Sequence, residues 1–513
     1  MQLALSFTTL LASILFVLSA ADFGADAAPT KRAPRAVTLP LQRLHQNRGD
    51  VHPQVFLQQH INRGVKRIAR MKGRAAPTKR DMEDSIARRL FVPSGELPPA
   101  VGAQLYARPG AFTKSKDANS TDDSSNSTDD NSNSTDTGAT GSNSTDTSAP
   151  GSNSTDVGAS GISAAAAANG LTPAGKPTAA NSLGLDIEAK DVGYIATIQM
   201  GTPPRDFKIL MDSGSADLWV GAEGCQSQAG GGCGNHQFLG PKSSSSFKDS
   251  GEQFQVTYGT GAVAGNIIQD NINVAGLALN GHSFGVAAAE TQDFSDDSVS
   301  FDGLMGLAQS TLSQQGVATP VEALAKAGLI DDAITSYKIS RLADNKNDGE
   351  ITFGALDETK FDKATLVTFD NVADNGFWEG AMDAVTVDGK DVGLQGRSAI
   401  LDTGTTLIIA PDADAAAVHS AIPGAQSDGQ GGFTIPCDTN ASVALNFAGQ
   451  EFAIDTRDLV FAQADNAGKD CISGISAGQI DGATTWLVGD VFLKNAYFST
   501  DVTKNQMSLA KLV

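Results

Sequence analysis

The chain has 513 residues, with 37 Lys+Arg against 58 Asp+Glu, 54 Gly and 4 Cys, and is 40% hydrophobic and 19% charged. That length exceeds one compact core, and the glycine excess with low charge disfavours a helical bundle or coiled coil. Four cysteines exclude a small disulfide scaffold but allow two bridges, and a net charge of −21 argues against a nucleic-acid binder.

The charge is unevenly placed. Residues 1–116 hold 18 Lys+Arg and 7 Asp+Glu, a net of +11, while residues 117–513 hold 19 and 51, a net of −32. A basic head on an acidic body is either a solvated arm or a segment that binds the body electrostatically.

In chain order, residues 3–18 are uncharged and apolar or small, and Ser19-Ala20-Ala21 offers small residues at a cleavage site. Residues 1–21 are therefore expected to be a secretory signal peptide, although no Lys or Arg precedes the apolar run. The run is short of a full membrane span and no later stretch is long and apolar enough, so no membrane association is expected after signal cleavage. Residues 22–112 are basic, with the pairs Lys31-Arg32, Lys79-Arg80 and Arg88-Arg89 as candidate processing sites; Val65 to Arg74 is expected to form a basic helix. Residues 113–180 are rich in Ser, Thr, Asn, Asp, Gly and Ala and repeat Asn-Ser-Thr at Asn119, Asn126, Asn133, Asn143 and Asn153. These five, with Asn440, fit the N-glycosylation acceptor pattern, so 113–180 is expected to be a disordered, glycosylated linker; an inert spacer fits equally.

From about residue 183 the texture changes to short β-type runs between Gly, Asp and Asn turns. They include Tyr194 to Met200, Ile209 to Met211, Phe254 to Tyr258, Ile351 to Phe353 and Ala399 to Leu401. An all-β body is predicted, interrupted by helical patches such as Pro320 to Leu329.

This body repeats itself. Lys208-Ile209-Leu210-Met211-Asp212-Ser213-Gly214-Ser215 is echoed by Ser398-Ala399-Ile400-Leu401-Asp402-Thr403-Gly404-Thr405. Each is followed by a second echo, Leu304-Met305-Gly306 and Leu487-Val488-Gly489, which points to two related halves. The triplet alone is weak: Asp136-Thr137-Gly138 and Asp249-Ser250-Gly251 match it without a preceding apolar run or a downstream echo. The apolar run matters because it makes a buried strand that delivers the aspartate to a fixed depth, where glycine permits a tight turn. The hydroxyls of Ser213 and Thr403 can lock two such turns together, and those of Ser215 and Thr405 can hold the carboxylates. Two carboxyls brought face to face cannot both ionise, so they share a proton in acid. One can then take a proton from water while the other polarises a carbonyl.

In these segments the chain resembles the pepsin-family aspartic proteases, of the secreted fungal type made as zymogens, from about residue 183 to the end. Asp212 to Val220 resembles the first catalytic segment and Val256 to Gly261 the flap hairpin. Phe301 to Leu307 and Trp486 to Leu493 resemble the closing segments of the two lobes. The resemblance implies an all-β, bilobal fold of two related β-barrel lobes, 181–375 and 376–513, with a substrate cleft between them. It implies Asp212 and Asp402 as the catalytic dyad supported by Ser213, Ser215 and Thr403. Tyr258, Gly259, Thr260, Gly214, Gly404, Thr405, Trp219, Leu304 and Ile400 would bind substrate, with Tyr258 closing over it toward Trp219. It also implies the disulfides Cys225–Cys233 and Cys437–Cys471. Polypeptide substrates and the chain's own propeptide (22–112), as an intramolecular inhibitor, are the expected partners. The protein is expected to be a monomer without cofactor or metal, secreted outside the cell or to the cell wall or vacuole. Ser213 replaces the more usual Thr of the first triplet but keeps the hydroxyl. No residue of the basic head stands out as the group that blocks the cleft.

Two rival readings are weaker. Gly474-Ile475-Ser476-Ala477-Gly478 fits a serine-hydrolase elbow, but no His follows His419 as that chain order requires. A non-enzymatic binding module would be expected to have lost dyad or flap residues, and all of them are present.

Overall fold

The computed structural model describes residues 37–40, 42–43, 53–71, 77–78, 81–82, 85 and 193–513, apart from 260, 298, 345–347, 465–467 and 479–483. All of these fall within one compact unit of the chain. The expected signal peptide, the linker, the dibasic pairs, the acceptors Asn119 to Asn153 and the flap residue Thr260 lie outside the described residues.

The body is built from strands, as the short alternating runs predict. One nine-stranded sheet is formed by Gln42–Arg43 and by strands between Tyr194 and Gly306. It curls so that Met200 pairs with Ile272, bringing Tyr194–Met200 beside both Arg205–Asp212 and Ala262–Val274. Sheets of five, four and four strands occupy Glu379 to Val488. A six-stranded sheet joins pieces far apart in sequence, in the order Val37–Pro40, Glu350–Phe353, Ile334–Lys338, Tyr497–Asp501, Gln506–Ala510 and Val367–Asp370.

The two echoes are now structural. The strand Arg205–Asp212 runs parallel to Gly303–Gly306, with Asp212 opposite Gly306. In the second half Arg397–Leu401 runs parallel to Thr485–Val488, with Leu401 opposite Val488. Each echoed glycine passes against the turn that carries an aspartate. A Cβ at Gly306 would lie 2.4 Å from the backbone N of Ala216, and one at Gly489 2.0 Å from the carbonyl oxygen of Thr405. Only glycine fits there. The strands are pinned by a core that includes fully buried Trp219, Trp378 and Trp486. Side chains of that size contribute about 2–3 kcal/mol each when buried.

The basic segment is helical, but the helix runs Pro53–Met71 and not Val65 to Arg74. Its start is set by Pro53, whose missing N–H costs nothing in a first turn, and by Val55, Phe56, Leu57 and Ile61, all buried. Cys225–Cys233 and Cys437–Cys471 are disulfides, with Cα–Cα distances of 5.5 and 4.9 Å. Asn440 is exposed in the loop between Phe433–Pro436 and Val443–Phe447.

Candidate active site

Asp212 ends its strand and Asp402 follows directly on its own, and both are fully buried. The turns that hold them are cross-locked. The Ser213 amide donates to Thr403 Oγ1 and the Thr403 amide donates to Ser213 Oγ, each at 2.9 Å. Each hydroxyl then donates across to the other half's strand, Ser213 to the Leu401 carbonyl at 3.1 Å and Thr403 to that of Met211 at 3.0 Å. Four bonds, all buried, thus fix two loops 190 residues apart.

The carboxyls have matched partners. Gly214 N–H donates to Asp212 Oδ1 at 3.0 Å and Gly404 N–H to Asp402 Oδ1 at 2.9 Å. Ser215 Oγ donates to Asp212 Oδ2 at 2.6 Å and Thr405 Oγ1 to Asp402 Oδ2 at 2.7 Å. The glycines also make room for the opposite carboxyl. A Cβ at Gly214 would lie 2.5 Å from Asp402 Oδ1, and one at Gly404 2.4 Å from Asp212 Oδ1.

Over this pair lies Arg67, which the sequence did not single out. Its guanidinium donates to Asp212 Oδ1 and, at 2.9 Å, to Asp402 Oδ1; its Nε pairs with Asp402 Oδ2 at 2.8 Å. A further N–H reaches the Gly404 carbonyl at 3.2 Å. Helical spacing brings it there: Ile61, Gly64 and Arg67 follow one another at three-residue steps on the buried face. Burial pushes the Asp402 carboxyl up to about 6, with Arg67 pulling it down and the Asp212 charge pushing it up.

The flap residues lie beside this centre. Lys248–Thr257 and Ala262–Val274 pair as a hairpin, and Tyr258 follows the first of these strands. The Trp219 indole N–H donates to the Tyr258 hydroxyl at 2.8 Å. Phe294 packs edge-on against both rings, at 5.4 Å from Trp219 and 5.5 Å from Tyr258. Leu304 and Phe301 join that cluster. Ile400 lies in a separate cluster with Phe377, Ile409 and Leu487.

A family profile described as eukaryotic aspartyl protease matches residues 193–512. The chain belongs to that family. It is 37% identical over 338 residues to a protein of Arthroderma benhamiae described as a probable aspartic-type endopeptidase, CTSD. That match covers 66% of this chain and 64% of the relative, so it spans less than two thirds of the relative's length. Rhizopuspepsin of Rhizopus chinensis is 36% identical over 312 residues, 60% of this chain and 75% of its own. Embryonic pepsinogen of Gallus gallus is 30% identical over 327 residues, 63% of this chain and 81% of its own.

Within this aspartyl protease fold the serine-hydrolase elbow is not assembled. Ser476 is fully buried in the strand Ile475–Ala477, and His419 pairs with Ser473 at 2.9 Å instead. The cluster of Cys225, Cys233 and Glu290 has metal-ligand spacing, but both its sulfurs are in a disulfide. No described helix is long and apolar enough to cross a membrane.

Proposed function

We propose that the chain is a secreted aspartic endopeptidase, made as a zymogen, which hydrolyses peptide bonds between large apolar residues in acid. The observation that carries this reading is the pair of buried carboxyls, Asp212 and Asp402, with matched partners and a shared backbone lock. In acid one member is protonated and one ionised, the established pattern of this enzyme class. The ionised carboxyl accepts a proton from a water held between them. The protonated one donates to the scissile carbonyl oxygen, and water adds to the carbon with no covalent enzyme intermediate. Gly214, Gly404, Thr405, Gly259 and Thr260 bind substrate backbone.

The preference for apolar residues is supported by two clusters. Tyr258, Trp219, Phe294, Phe301 and Leu304 form one, and Phe377, Ile400, Ile409 and Leu487 the other. The zymogen reading is supported by the basic helix, whose Arg67 occupies the carboxyls that water and substrate would need. The polypeptide substrate and this segment are the partners, and the enzyme acts as a monomer outside the cell, in its wall or in the vacuole. Cleavage of an apolar peptide should be confined to acid; a profile peaking above neutrality contradicts the reading. N-terminal sequencing of the mature enzyme tests the maturation route. A start at residue 81 or 90 means dibasic processing with the linker kept, and a start near 180 means its loss. A mature chain that still begins at residue 22 contradicts the zymogen.

A further inference from the structure

We propose that Asp293, on the rim of the cleft beside the flap, is a specificity-determining residue that selects a cationic side chain, Lys or Arg, in the peptide substrate. This rests on the endopeptidase reading above and names a substrate class that the apolar clusters alone do not.

Asp293 belongs to the single helical turn Gln292–Ser295 and immediately precedes Phe294, whose ring closes the apolar cluster under Tyr258. It therefore sets a carboxyl at the edge of an otherwise apolar subsite. The flap fixes its position. A Cβ at Gly261 would lie 3.2 Å from the Asp293 Cβ, and one at Gly259 would lie 2.5 Å from the Arg63 carbonyl oxygen. Asp293 and the basic helix thus meet the flap tip two residues apart. The helix is the present occupant of the cleft, since its Arg67 lies on the dyad.

The charges of that occupant are felt at Asp293. Burial pushes the Asp293 carboxyl up even though its side chain reaches solvent, while Arg63 and then Lys66 pull it back down. In return Asp293 favours the charged form of Arg63 against the burial that disfavours it. The Asp293 side chain is exposed at the rim, where an incoming donor can reach it. When the helix leaves, the rim keeps the carboxyl and loses both cations. The next chain to lie there restores the balance only with a cation of its own, and complementary rim charges of this kind act on selectivity more than on raw affinity.

The test uses the enzyme matured from the full chain and peptides of one sequence. One position at a time, within a few residues on either side of the scissile bond, carries Lys, Glu or norleucine. The readout is the ratio of kcat/KM for Lys over norleucine within each variant, which cancels differences in active enzyme. At one position this ratio should fall roughly fivefold in Asp293→Asn and shift toward Glu over norleucine in Asp293→Lys. Added salt should weaken the wild-type preference. Ratios that are the same at every position in wild type and Asp293→Asn overturn the inference. The all-norleucine peptide separates the two readings. If wild type cuts it but the ratios are flat, only the role of Asp293 fails; if it is uncut at every acidic pH, the endopeptidase reading fails.

Discussion

Replacing Arg67 by Met would leave Asp212 and Asp402 buried with no guanidinium between them. Breaking a buried ion pair from one side costs about 3–5 kcal/mol, so the basic helix should lose most of its hold on the cleft. Arg67→Met should therefore cleave peptide as the uncut full chain, whereas wild type is latent until processed. Early-time assays with the chain length checked on a gel read this out, and equal latency in both contradicts it. Glu290 is buried as well. Burial pushes its carboxyl up to about 8 from an ordinary value near 4.5, and among the described residues its Oε2 has no hydrogen-bond partner. Between those values the folded chain keeps a proton that the unfolded chain has released, so stability falls as pH rises through that window, by roughly 5 kcal/mol at most. Glu290→Gln should flatten the fall of Tm from acid to mildly alkaline pH; an unchanged slope contradicts this. The aspartates were legible because the same apolar run, Asp, hydroxyl and Gly occur twice. Arg67 was not, because the head offers many similar cations and only the phase of the helix on the body selects one.

At the scale of the element, the basic helix is fitted to its seat by small and unusual residues. A Cβ at Gly64 would lie 1.9 Å from Ile409 Cδ1, so any larger residue there must displace that methyl for the helix to approach as closely. One turn earlier His60 is buried, its ring 4.5 Å from Phe56 and 5.6 Å from Phe461, with Nε2 lacking a hydrogen-bond partner among the described residues. Burial, with Arg63 adding to it, holds this imidazole well below its ordinary value of 6.5. The docked helix thus takes neutral His60, while a released helix protonates below about that value. Docking is therefore unaffected near neutrality and weakens as pH falls. His60→Phe keeps the ring packing and removes the charge. It should move the onset of activation of the full chain to lower pH, and an unmoved onset contradicts this role. The sequence located this helix only in part. Val65 to Arg74 attracts attention through its charge, but the apolar face that buries the helix begins at Val55. Strands with local partners, such as the flap hairpin, were legible from their alternation. The six-stranded sheet was not, because Val37–Pro40 pairs with Glu350–Phe353 and no local pattern announces so distant a partner.

At the scale of the molecule, the two halves meet where the Ser213 and Thr403 turns exchange hydrogen bonds, and the dyad exists only because both halves contribute to it. The charge split has a physical reading on the same scale. A head of net +11 lies before a body of net −32, and the described helix contributes Arg63, Lys66 and Arg67 to the cleft side of that attraction. The proposed hydrolysis depends on Asp212 and Asp402 acting as a pair. The most direct measurement is acid cleavage of an apolar peptide by wild type, Asp212→Asn and Asp402→Asn. All three chains would be matured by the same added dibasic-specific protease and checked for identical N-termini. Each variant should lose roughly a thousandfold or more in kcat while still binding the peptide. Cleavage that survives either substitution would contradict the two-carboxyl mechanism.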